Sequence, residues 1–108
     1  MPFIERGRIM TRIKELADEL KDELCSAKEY AEEYLNFKAK DNSAWANRYK
    51  EMATDELKHA DYIHERIVGD IEELSKVYTP PEEMMIKWDA DHKKYIKKAA
   101  WVRKMLEM

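Results

Sequence analysis

Alternating steps of three and four residues pick out one apolar stripe in each of three segments of the chain. The first runs from Ile9 through Ile13, Leu16, Leu20, Glu23, Ala27, Tyr30 and Tyr34 to Phe37. The second runs from Trp45 through Tyr49, Met52, Glu56, His59, Ile63, Ile67, Ile71 and Leu74 to Tyr78, and the third from Met85 through Trp88, His92, Tyr95, Ala99 and Val102 to Leu106. That spacing belongs to amphipathic helices. Two interruptions separate the segments. Lys40-Asp41-Asn42-Ser43 ends the first, with Lys38 and Lys40 suited to a helix C-terminus and Asp41, Asn42 or Ser43 able to cap the next helix. Thr79-Pro80-Pro81-Glu82 ends the second, with Thr79 as N-cap, Pro80 in the first helical position and Glu82 reaching back as in a capping box. The pattern predicts an all-α fold with helices at about Arg8 to Lys40, Ser43 to Tyr78 and Pro80 to Glu107. The first two would each be on the order of 50 Å long and would form a tight antiparallel hairpin. Gly69 costs the second helix about 1 kcal/mol relative to Ala, which a helix of that length absorbs.

A few polar residues sit inside these stripes. In a chain that is 40% charged, nine positions drawn blindly would hold about 3.6 charged residues, yet the first stripe holds only Glu23, an exception that needs a reason. Glu56 and His59 interrupt the second stripe, and His92 the third, with Asp89 one turn before it on the same flank. Glu-x-x-His alone is a weak signal, since this composition supplies roughly 0.4 such pairs by chance. Position on the helix carries the argument instead. Asp61-x-x-His64 lies off the stripe and reads as a surface pair, not as a ligand set.

Composition narrows the function classes. With 108 residues the chain is one domain near the size where oligomerisation often completes a core. A net charge of −3 offers no footprint for nucleic acid, and Lys93, Lys94, Lys97 and Lys98 read as a solvated helix face. No apolar run approaches the ~20 residues of a membrane span, and MPFIERGRIM lacks the apolar core of a signal peptide, so cytoplasmic residence is expected. The lone Cys25 has no disulfide partner and reads as a small helix residue.

Burying a carboxylate requires a cation, a hydrogen-bond network or a raised pKa. A divalent metal would satisfy Glu23, Glu56 and His59 together, and the i, i+3 spacing of the last two lets one helix grip one ion with both. Carboxylates with neutral imidazole suit iron or manganese, with zinc also compatible. The competing structural reading is a buried hydrogen-bond network that fixes helix register, with Tyr30, Tyr49 or Tyr95 as partners. A monomeric three-helix bundle gathering Glu23, Glu56, His59 and His92 around one ion fits the spacing as well.

DELCSAKEYAEEYLNFKAKD and EMATDELKHADYIHERI together resemble the first helix hairpin of the ferritin-like superfamily, of rubrerythrin type. The matching residues are Glu23 with the small and aromatic pattern at Ala27, Tyr30 and Ala31, then Glu56-x-x-His59, separated by 56 − 23 = 33 positions. PPEEMM and Asp89-x-x-His92 are similar to segments of small ferritin-like proteins of bacterial phages and prophages, a resemblance that brings no activity with it. The superfamily's bundle takes a Glu from each of two helices and a Glu-x-x-His from each of two others, and this chain has one such set. The resemblance therefore implies a half-bundle that becomes a four-helix bundle by dimerisation, as in encapsulated ferritins, or by higher homo-oligomerisation. It implies a di-iron or manganese site in which Glu23 and Glu56 bridge or chelate and His59 caps, with His92 and Asp89 as outer or additional ligands. The implied activity is oxidation of Fe(II) by oxygen or peroxide. The alternative is a non-enzymatic helical assembly or phage-associated structural protein that keeps the fold.

Overall fold

The computed structural model describes residues 3–108, and all regular structure among them is helical: α1 (Phe3–Ala39), α2 (Ser43–Ser75) and α3 (Glu82–Glu107). The molecule is a rod of 57 × 20 × 16 Å, as a helix the length of α1 requires at ~1.5 Å rise per residue. α1 and α2 form an antiparallel hairpin. Its turn is compact because the motif that ends α1 and the cap that opens α2 share Asn42. Asn42 N–H donates to Phe37 O at 2.9 Å and Asp41 N–H to Lys38 O at 3.1 Å, while Asp41 takes a left-handed φ of 56°. This is the Schellman arrangement, with Asp where Gly is usual. Asn42 then caps α2 by accepting the Trp45 N–H at 3.3 Å.

The far end differs from the sequence expectation. α2 stops at Ser75, short of Tyr78, and α3 begins at Glu82 with Pro81 as its N-cap and no side-chain cap bond. Neither the Thr79 cap nor the capping box forms. The reason lies in the proline pair: a residue that precedes proline is pushed out of the helical region, so Pro80 cannot open a helix while Pro81 follows it. α1, in turn, starts before Arg8.

Apart from Trp45 and Met52, the apolar residues of the expected stripes lie in the core or packed against it, and the core also takes in small and apolar residues beside them. On α1 the buried positions are Ile13, Ala17, Leu20, Leu24, Ala27, Ala31 and Tyr34, and on α2 they include Ala46, Ala53, Leu57, Ala60, Ile67, Ile71 and Leu74. Alanine at so many contact positions lets the two backbones approach closely, so the larger side chains lie on the flanks of the seam. One flank, with Leu16, Tyr30 and Phe37 of α1 and Trp45, Tyr49 and Met52 of α2, stays open; Trp45 is 46% exposed and Met52 41%. α3 covers the other side of the hairpin, parallel to α1, with Ala99, Val102, Met105 and Leu106 buried. Lys38 of α1 donates to Met108 O at its far end. At the opposite end the hairpin is tied by Arg12, whose Nε and Nη2 donate to the two oxygens of buried Asp70 at 2.8 and 2.7 Å. Tyr78 packs there under the Arg6 guanidinium, 4.6 Å from its ring centre.

Candidate metal centre

Glu23 of α1 and Glu56 and His59 of α2 meet at mid-hairpin, with one ligand atom from each lying within 4.8 Å of the others. The i, i+3 step stacks Glu56 and His59 on one helix face, and the seam brings Glu23 opposite them. His59 Nδ1 is 3.6 Å from Glu23 Oε2 and 3.9 Å from Glu56 Oε1. The cluster sits on the open flank. The glutamate side chains are 25% and 23% exposed and the imidazole 57%, so the site faces outward from the hairpin.

Its electrostatics are those of an unneutralised acid pair. Hydrogen bonding to Glu23, then burial, then the Glu23 charge push the Glu56 carboxyl up to about 7, against a small opposing effect of His59. Two carboxylates facing across a seam cannot both ionise cheaply, so a shared proton or a cation is favoured between them. Glu23 Oε2 is buried and accepts no hydrogen bond. Among the described residues no tyrosine hydroxyl reaches the cluster, so the register-fixing network through Tyr30, Tyr49 or Tyr95 does not form. Tyr95 instead donates to Asp61 at 2.6 Å on the other side of α2.

Next to the cluster on the same flank is an aromatic group. Phe37 and Tyr49 stack at 5.6 Å and 9°, with Tyr30 6.1 Å and Trp45 6.2 Å from Tyr49. Stacking of this kind adds to area burial, and one side of the group, at Trp45, faces solvent.

His92 and Asp89 are not brought to this cluster. His92 lies against His64 between α2 and α3, and Asp89 is an exposed partner of Lys93 at 2.9 Å. The single-ion arrangement with His92 is therefore not formed. The expectation for Asp61 and His64 is also corrected, because α2 meets side chains of α3 as well as packing on α1, and so carries a second inward face. His64 is half-buried against Trp88, His92 and Tyr95, and Asp61 accepts from Tyr95 and from Arg103 Nη2 at 3.1 and 3.2 Å. Burial and His92 lower the His64 pKa, while burial and Asp61 push Tyr95 up to about 12. Buried Asp91, paired with Lys21 at 3.4 Å, was not singled out by the pattern either. It lines a cleft of about 410 Å³ between α1 and α3 with Met10, Ile13, Met84 and Trp88. Cys25 is exposed, with Lys98 Nζ at 3.5 Å from its sulfur. No helix among the described residues is long and apolar enough to cross a membrane.

No family model, no curated protein and no solved structure matches this chain.

Proposed function

We propose that this chain is a ferritin-like metal-binding protein in which Glu23, Glu56 and His59 hold iron or manganese in a di-metal site shared between two copies. The observation that carries this reading is the convergence of two carboxylates and an imidazole within 4.8 Å, with a buried glutamate oxygen that has no donor. The donor set fits the group. Two hard oxygen ligands with one nitrogen suit Fe(II) or Mn(II), with Zn(II) also compatible, and a divalent ion neutralises the repulsion that otherwise holds a proton on Glu56.

Bound iron would supply one-electron chemistry towards oxygen or peroxide, which makes the proposed activity oxidation of Fe(II). The chain's own contribution is to release the Glu56 proton on loading, to orient His59 through its helix register and to hold Glu23 across the seam. One chain offers three ligands on an open face, so the site is incomplete alone. A second copy laid on the same flank would bring a second set and cover Trp45, Tyr49, Phe37 and Met52, completing a four-helix core.

Elemental analysis of untagged protein, read across a sizing column with light scattering, tests this directly. Iron or manganese near one per chain in a dimer peak, lost in Glu56→Ala, is the expected result; protein-dependent Fe(II) oxidation in air is expected of the same material. A metal-free dimer that refuses both ions would refute it. That outcome would instead favour a non-enzymatic helical assembly, a reading supported by the partly exposed aromatic flank, which a partner would cover whether or not metal binds.

A further inference from the structure

His64 and His92 come from different helices and take no part in the carboxylate site. Nε2 of His64 and Nδ1 of His92 are 2.8 Å apart, and the two rings stack at 5.0 Å and 25°. The pair is tightly framed. Tyr95 lies on His64 at 4.2 Å and 13°, and Trp88 flanks the two imidazoles at 5.5 and 5.8 Å. Tyr95 is itself anchored by its bond to Asp61, which Arg103 also grips. Neither imidazole can turn away without unpacking the aromatic layer between α2 and α3.

We propose that His64 and His92 form a second, two-imidazole site for a borderline transition-metal ion, zinc or copper, that bridges α2 and α3. Two nitrogens bound to one ion at ~2.0–2.1 Å lie about 2.9 Å apart at a right angle and about 3.4 Å apart at the tetrahedral angle. The observed pair needs to open by only a few tenths of an ångström. One of the two nitrogens now donates its proton to the other, and an ion would sit beside that N···N line, within reach of both. Binding therefore moves that proton to the far nitrogen of the same ring through solvent, so that both imidazoles stay neutral, no net proton is released and water fills the remaining positions. The chemistry also separates this site from the first. Imidazole nitrogen suits zinc and copper, whereas calcium and magnesium take oxygen, so neither of those ions binds here. An ion at this point would cross-link two helices that otherwise meet through side chains alone, and would stabilise the bundle by mass action.

The test uses full-length protein carrying Cys25→Ser and His59→Gln. These changes remove the exposed thiol and the imidazole of the carboxylate cluster, so that of the chain's three histidines only His64 and His92 remain. Cu(II) titration followed by pulsed EPR should show about one ion per chain with two imidazole nitrogens, and Zn(II) should raise the unfolding midpoint. Adding His64→Gln or His92→Gln should weaken binding at least about tenfold. Failure of the two-histidine protein to take up either ion, or a bound copper with fewer than two imidazoles, overturns the proposal. Because the EPR readout is taken on protein that retains both histidines, it decides the matter even where a glutamine variant does not fold. The carboxylate site stands or falls separately, by Fe(II) and Mn(II) uptake in wild type against Glu56→Ala.

Discussion

Replacing Glu56 with Gln keeps the side chain's size and its place beside Glu23 while removing the charge that makes the pair repel. The folded-state pKa of Glu56 is raised to about 7, above its ordinary 4.5. Between those values the native chain holds a proton that the unfolded chain has released, so stability falls as pH rises through the window and is lowest above pH 7. A difference of 7 − 4.5 = 2.5 units at 1.36 kcal/mol each would be about 3 kcal/mol. Both glutamates are about a quarter exposed, and water screening trims this to ~1–2 kcal/mol. For a domain of this size that is about 5–10 °C in Tm. Chelator-treated Glu56→Gln should therefore melt higher than wild type at pH 8.5 and match it at pH 4.5, where the wild-type carboxyl is protonated as well. Circular dichroism melts at the two pH values measure the difference. Adding Mn(II) at pH 8.5 should then raise the wild type and leave the variant unmoved. A variant no more stable than wild type at pH 8.5, or one equally stabilised at both pH values, would refute the strained acid pair.

Other expectations follow from the packing. Asp70→Asn removes the charge from a buried, bidentate partner of Arg12 and should cost about 1–3 kcal/mol by denaturant unfolding, discounted towards the lower end because Arg12 is 41% exposed. Gly69→Ala should stabilise by about 0.5–1 kcal/mol in the same assay, since an added Cβ meets nothing within 4 Å and the position is interior to α2. Trp45→Glu places a charge on the open aromatic flank and should convert the proposed dimer to monomer on a sizing column with light scattering; a wild type already monomeric at high concentration would remove the basis for it.

How far the fold could be read from the sequence depended on which property of a residue was being used. The break between Lys40 and Ser43 was legible because a few neighbouring atoms decide it, with Asn42 the cap among the three residues able to serve, whereas at Thr79-Pro80 the same local reading failed on the second proline. Glu23, Glu56 and His59 converge as the stripes place them, because heptad-like spacing preserves side-chain direction along a helix and direction is all that convergence requires. The stripe itself was read by bulk, and bulk passed over most of the small residues of the core. The seam between α1 and α2 is closed by Ala17, Ala27, Ala31, Ala46, Ala53 and Ala60, residues that a transfer scale ranks low but that allow close backbone approach. Asp61 and His64 were illegible for a different reason. A helix packed on two neighbours has two inward directions, and a single stripe describes only one of them, so polar groups that serve the second contact look like surface. The same geometry gives the open flank its meaning. Large aromatic and apolar side chains beside an alanine seam, with no third helix over them, form the face on which the proposed second copy would lie. Glu23, Glu56 and His59 lie in the middle of that flank, so one encounter between two copies would bury the aromatic group and close the ligand set together.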